Sequence, residues 1–218
     1  MTKGADAVVV GSGPNGLAAA ATLARAGCSV VVLEAAETVG GGCRSEELTL
    51  PGFVHDVCSA IHPLAAASPV FNGLPLGDHG LEWVHPEVPA AHPMAHGEAV
   101  LLHRSIAATA EGLGADAAAW RRIVTPLVEQ WSELTASLLG PMLRPPRHPL
   151  LLARFAAFAA WPATTLARHL FSEESARGLF AGFAGHSVLD LDAPLTSSFG
   201  LIFAASGHAV GWPAARGG

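Results

Sequence analysis

Ten residues near the start of the chain, Val8-Val9-Val10-Gly11-Ser12-Gly13-Pro14-Asn15-Gly16-Leu17, leave it few folds to adopt. They run from an apolar strand through a G-x-G-x-x-G loop into an alanine-rich helix. In a βαβ unit each glycine has a task beside a dinucleotide. Gly11 allows the tight turn off the strand, Gly13 lets the backbone approach a pyrophosphate, and Gly16 lets the helix pack closely on the sheet. Ser12, Pro14 and Asn15 fill the positions between, where free N–H groups and the positive end of a helix dipole face the phosphates. The glycine pattern alone is a weak signal, and its strength comes from what flanks it.

Upstream, Ala5 to Val10 is apolar enough for a strand buried in a parallel sheet. Downstream, Leu17, Ala20, Ala21, Leu23 and Ala24 follow helical spacing and stop at Gly27, a good C-terminal breaker. Ser29 to Leu33 reads as a second buried strand, ending in Glu34. That carboxylate lies 23 residues beyond Gly11, near the spacing of an acid that accepts hydrogen bonds from an adenosine ribose. An acid there disfavours a 2′-phosphate, so NADP is not expected.

Glu34 is followed by Val39-Gly40-Gly41-Gly42-Cys43-Arg44-Ser45-Glu46-Glu47-Leu48 and then Leu50-Pro51-Gly52-Phe53. This stretch resembles the second glycine motif of two-dinucleotide-binding-domain flavoproteins, the group that holds amine oxidases and phytoene desaturases. The segments His55 to Leu64, Gly80 to Trp83 and Gly207 to Pro213 read like one branch of it, the phytoene desaturase-related FAD-dependent oxidoreductases. The resemblance implies that FAD is the cofactor and that Gly40 and Gly41 pass close to its phosphates and ribityl chain. Many relatives carry an arginine directly after the glycine pair; here Gly42 stands there, and the resemblance offers Arg44 as the positive charge instead. The alternative for Arg44 is an ordinary surface arginine.

The resemblance also implies a fold class. It is a Rossmann-like FAD-binding βαβ unit (residues 1–54), then an α+β, helix-rich substrate domain (55–210), then the start of a segment returning to the FAD domain (211–218). Relatives need roughly twice 218 residues, so the expectation is the N-terminal part of a flavoenzyme, either truncated or one half of a split enzyme. A complementary C-terminal half is then the expected partner. The first strand, the glycine loop and Glu34 hold only the ADP half of the cofactor, so the chain alone is expected to bind FAD weakly and to self-associate.

Composition narrows the partners. Half of the residues are hydrophobic and 14% are charged, against about a quarter in an average domain, which suggests surface that another segment covers. A net charge of −6 leaves no polycationic footprint for nucleic acid. Thr2-Lys3-Gly4-Ala5-Asp6 leads straight into the first strand without a signal peptide, and Cys28, Cys43 and Cys58 lack metal spacing. Both fit free thiols in a reducing cytoplasm. His85, His92, His96 and His103 crowd one stretch, but Pro86, Pro89 and Pro93 prevent a helix from presenting His92 and His96 together, and no metal is expected. His62, which the resemblance places near the flavin, reads better as a hydrogen-bonded structural histidine.

Strands are expected at Gly80–Val84 and Ala99–His103, and helices beyond Ser105. Trp120, Ile123, Leu127, Trp131, Leu134 and Leu138 share one helical face; Pro126 inside that run implies a kink or a new start, and Gly140-Pro141 the end. Leu150 to Trp161 is too short to span a membrane and carries Arg154. It is a buried helix or, less favoured, a membrane-surface patch admitting a lipid-soluble substrate. A further helix is expected from Ser172, whose hydroxyl would cap it. No nucleophile–base pair or carboxylate couple stands at a telling spacing, so no catalytic residue is named. The readings are an FAD-dependent oxidoreductase of a hydrophobic small molecule, a non-catalytic remnant or binding subunit, and, more weakly, an NAD-dependent dehydrogenase.

Overall fold

In the computed structural model, residues 4–95, 97–140 and 145–218 are described. In chain order the elements are β1 (Ala7–Val10), α1 (Pro14–Arg25), β2 (Val30–Leu33), β3 (Ser45–Glu47), β4 (Val54–Asp56), α2 (Pro63–Ala67) and α3 (Pro69–Asn72). There follow β5 (Trp83–Val84), β6 (Ala90–Pro93), β7 (Ala99–Leu102), α4 (Ile106–Glu111), α5 (Ala117–Glu129) and α6 (Trp131–Leu138). The last are α7 (Pro149–Ala159), α8 (Ala163–Leu170), α9 (Glu174–Ala184), α10 (Thr196–Ala209) and β8 (Ala214–Ala215). They fall into two compact units, one of residues 1–62, 73–84 and 214–218, the other of 63–72 and 85–213. The first unit thus draws in residues 55–62 and 73–84 as well as those up to 54.

The first unit is built on the βαβ crossover. β1 and β2 run parallel with Ala7 opposite Val30 and Val10 opposite Leu33. Helix α1 begins with Pro14 in its first turn, where a missing N–H costs nothing. It turns out through Ala26 into Gly27, whose φ of +91° only glycine adopts without strain. Burial on both sheet faces does not hold in the structure. Ala7 and Val9 are half-buried, while Val8 is 59% and Val10 83% exposed. A single crossover helix can cover one face of a sheet, and α1 is the only one between these strands. The strand expected at Gly80–Val84 shortens to Trp83–Val84, and its partner is the Ala214–Ala215 segment.

The second unit packs around α10. This helix is buried nearly all round because its small residues admit neighbours: a Cβ on Gly200 would lie 2.7 Å from Phe180, and one on Gly207 2.3 Å from Leu102. Helices α5, α7, α8 and α9 pack on it, and Trp120, Leu134, Leu166, Leu179, Phe180, Phe183 and Leu201 fill the core. The hairpin β6–β7 pairs Pro93 with Ala99, so the strand expected at Ala99–His103 is present as Ala99–Leu102 and a second strand carries His92 in place of a helix. Pro93 is tolerated because it closes the strand. Helix α5 continues through Pro126, and the break comes at Gln130, before α6 starts at Trp131. Gly140 is described; Pro141, expected to end that helix, lies outside the described residues. Helix α7 buries Leu151, Phe155 and Ala159 and leaves Leu150 exposed. Among the described residues no single helix is long and apolar enough to cross a membrane; α7 and α8 form a pair bent by 96°.

Ser172 does not cap α9. The helix starts at Glu174, and the carboxylate of Asp116, only 4% exposed, accepts from the Ser172 N–H (2.9 Å), the Ser172 hydroxyl (2.9 Å) and the Glu173 N–H (2.7 Å). Burial alone would raise the Asp116 pKa, but these donors and Arg177 hold it below its ordinary value. Asp116→Ala strands those donors and removes the negative charge at the helix's positive end. We expect a loss of about 1–3 kcal/mol in unfolding free energy, read by urea denaturation.

His208, at the end of α10, is fixed in one tautomer. Trp120 Nε1 can only donate, and it reaches His208 Nε2 at 3.3 Å; Nδ1 therefore keeps the proton and donates to the Arg104 carbonyl at 3.3 Å. Burial is the main reason its pKa is lowered, against the opposing pull of backbone carbonyls at Arg104 and His103. The neutral form is favoured in the fold, so this contribution is complete above the unfolded value of about 6.5 and is lost as pH falls below it. Thermal midpoints should drop as pH falls below about 6.5, and Trp120→Phe, which frees Nε2, should flatten that dependence.

Candidate functional site

The glycine loop and the end of β2 meet in the first unit. Gly11 leaves β1 with φ +94°, its N–H donating to the Leu33 carbonyl at 2.7 Å, so the turn begins while still paired to β2. Gly16 permits the close approach of helix to loop: a Cβ there would sit 2.0 Å from the Gly11 oxygen. Gly13 is the N-cap of α1, without a side-chain cap and without an acid in the first turn. Pro14 has no N–H, and the Leu17 N–H is taken by the Gly13 carbonyl. The N–H groups of Asn15 and Gly16 remain as the orphans of the first turn, at the positive end of the dipole.

Ser12 is fully buried and ties the loop together. Its N–H (2.7 Å) and hydroxyl (2.6 Å) both donate to Glu34 Oε2, while its carbonyl accepts from the Gly40 N–H at 3.0 Å. Glu34 Oε1 accepts from the Ala36 N–H at 2.9 Å. The Ala36 donor and the two Ser12 donors bring the Glu34 pKa down to about 2. Glu34 is solvent-exposed and ionised at any pH where the protein works. Sequence spacing identifies the acid; the role of Ser12 leaves no signal, because a serine in that variable position looks like any small residue.

The second glycine motif folds back on the first. Gly40 has φ +114°, and a Cβ on Gly41 would lie 2.9 Å from the Gly13 Cα. The two glycine loops meet backbone to backbone, at a distance that leaves no room for a side chain on Gly41. Arg44 lays its stem over Gly40, with Cγ 3.3 Å from where a Cβ would be. Its Nε stands 3.7 Å from Glu46 Oε1 and is buried with no hydrogen-bond partner. The structure thus brings Gly11, Ser12, Gly13, Pro14, Asn15, Gly16, Glu34, Gly40, Gly41 and Arg44 to one side of one unit. Closely apposed glycine backbone, orphan helix N–H groups, an ionised acid at the strand end and an unsatisfied guanidinium nitrogen fit a dinucleotide.

The histidines play other parts. His62 Nδ1 lies 3.3 Å from the Ser59 hydroxyl, and its ring sits 5.8 Å from that of Trp83. His92 packs edge-on against Phe183 at 5.2 Å. Burial is the main cause of its lowered pKa, with His186 second. His85 lies beside Arg104, and His96 lies outside the described residues. Among those described, no three His, Cys, Asp or Glu side chains gather as a metal site.

Known proteins share this arrangement. Residues 9–74 match the family described as an NAD(P)-binding Rossmann-like domain. A limonene dehydrogenase subunit of Castellaniella defragrans is 33% identical over 111 residues, which is 51% of this chain and 20% of that protein. Hydroxyneurosporene desaturase of Cereibacter sphaeroides is 33% identical over 202 residues, 81% of this chain and 38% of that protein. A solved structure of putrescine oxidase has the same fold with a TM-score of 0.57 at 19% identity, over 98% of this chain and 46% of that one. The chain spans less than half the length of each of these relatives. The desaturase match runs far beyond the Rossmann-like segment, so the chain is similar in sequence to part of that desaturase and shares its fold with part of the putrescine oxidase structure.

Proposed function

We propose that the first unit binds the ADP half of FAD and that the protein serves an FAD-dependent oxidation of a hydrophobic small molecule. The observation that carries this reading is the pair of glycine loops locked together through Ser12 and Glu34, with the Asn15 and Gly16 N–H groups left open beside them. Those amides would hold the pyrophosphate, Glu34 the ribose, and Gly40, Gly41 and Arg44 the chain beyond it. When bound, FAD supplies the hydride acceptor. What this chain's residues contribute is binding and orientation, and no side chain among the described residues is assigned a proton transfer.

An apolar cleft of about 240 Å³ in the second unit supports the hydrophobic substrate. Ile123, Leu127, Leu151, Phe155 and Leu201 line it, with Arg122 and Arg154 beside them. A complementary polypeptide half, acting as a second subunit, is part of the same reading. Its support is the exposed Val8, Val10, Val31 and Leu33 of the parallel pair. A cytoplasmic setting is proposed on the free state of Cys28, Cys43 and Cys58. The likeness to one subunit of a limonene dehydrogenase lends a second reading, a polypeptide that binds the cofactor and leaves chemistry to its partner.

Backbone NMR of the chain tests the cofactor reading even if binding is weak. FAD should shift the amide signals of residues 11–17 and 40–44. ADP should shift the first group and spare the second. Titration that moves neither set would end the FAD assignment. In the same titration Glu34→Gln keeps shape and removes a charge-assisted acceptor, and ADP binding should weaken roughly 10- to 100-fold. With a carboxyl pKa of about 2, the wild-type affinity should show no step from this group between about pH 4 and pH 9.

A further inference from the structure

The antiparallel pair β3–β4 extends past its last strand residues toward the second glycine motif. Ser45 stands opposite Asp56. One step on, the Val57 N–H donates to the Arg44 carbonyl at 2.9 Å, and two steps beyond that the Ser59 N–H donates to the Gly42 carbonyl at 2.8 Å. These bonds flank Cys43, the last residue of the short 3-10 turn Gly41–Cys43, and Cys58, and so bring the two stretches of chain that carry them side by side. A disulfide spans about 4.4–6.8 Å between Cα atoms.

Two further observations place the thiols together. A Cβ on Gly42 would lie 3.8 Å from the Cys58 sulfur, so that thiol rests against the glycine-motif backbone. The Cys43 thiol pKa is raised, first by burial and then by Asp56 and by Cys58 itself. Cys58 is exposed, Cys43 is half-buried, and both are free. Cys28 follows α1, remote from this ladder in sequence.

We propose that Cys43 and Cys58 form a reversible dithiol–disulfide site beside the second glycine motif, closed by a low-molecular-weight disulfide. The exposed Cys58 thiolate attacks one sulfur of that disulfide, forms a mixed disulfide and releases one small thiol. The Cys43 thiolate then attacks the Cys58 sulfur, forms the Cys43–Cys58 bond and expels the second small thiol. Two protein thiols are oxidised by two electrons, one small disulfide is reduced to two thiols, and the two protons end on those thiols. Closure ties the residue after Gly42 to the end of β4. It thereby holds the loop in which the Gly40 N–H reaches the Ser12 carbonyl. The site rests on the two flanking backbone bonds, Val57 to Arg44 and Ser59 to Gly42, while its bearing on the cofactor rests on the FAD reading.

The test is to equilibrate the full chain in glutathione buffers from reducing to oxidising, block free thiols by alkylation and map the digest by mass spectrometry. The expected product is one linked peptide joining Cys43 to Cys58, lighter by two hydrogens, with Cys28 still alkylated. Cys28→Ser should leave the link unchanged. Cys58→Ser should leave Cys43 open to alkylation. In stopped time courses release of the second glutathione should quicken as pH rises, because the raised Cys43 thiol makes closure the slower step. A stable glutathione adduct on Cys58 beside an alkylated Cys43, or pairing of either with Cys28, would overturn the proposal. None of these readings depends on bound FAD, so loss of the cofactor reading and loss of the thiol site are told apart.

Discussion

Everything at the site depends on one buried serine. Ser12 donates twice to Glu34 and accepts once from Gly40, so it joins the end of β2, the first glycine loop and the second glycine motif. A carboxylate is the acceptor that suits this junction. Its charge strengthens both bonds, and its two oxygens can serve the loop and the Ala36 N–H at once. The cost is small because the carboxylate stays at the surface, where water solvates whatever the protein does not. Backbone contacts complete the junction, since Gly41 meets Gly13 at a distance that forbids any side chain.

The parts of this fold that were legible in the sequence are those that local chemistry dictates. β1, α1 and β2 follow from apolar runs, a proline at the helix start and glycines at its two turns; the acid at position 34 follows from spacing. Of the hairpin β6–β7 only the second strand is legible, because Pro86, Pro89 and Pro93 exclude a helix over the first without marking a strand, and a terminal strand proline is a tertiary allowance. The cap of α9 was misread for a related reason. Ser172 sits where a capping hydroxyl belongs, but a carboxylate 56 residues earlier outcompetes it and turns the hydroxyl into a donor. The pairing of Trp83–Val84 with Ala214–Ala215 is a long-range match of short segments that carry no periodic signal.

The two units solve burial differently. The second encloses its core with helices on several sides of α10, and it pairs some polar groups inside, as with Trp120, His208 and the Arg104 carbonyl, while Trp131 Nε1 and Ser197 Oγ stay buried without a partner. The first has a parallel pair with one covered face and one open face. Parallel strands are normally covered on both sides, and at roughly 25 cal/mol per Å² of apolar surface the open valines represent a standing drive toward association.

The acid at position 34 also limits how the ribose is held. A carboxylate oxygen offers about two acceptor positions. Oε2 spends both on the Ser12 N–H and hydroxyl, while Oε1 spends one on the Ala36 N–H. On the FAD reading proposed above, one ribose hydroxyl would dock on Oε1 without disturbing the loop. A second would have to displace a donor, and the Ser12 hydroxyl is the one that yields most readily, because it can rotate away while the backbone N–H cannot. The bond that assembles the loop would then be partly exchanged for the bond that binds the ligand.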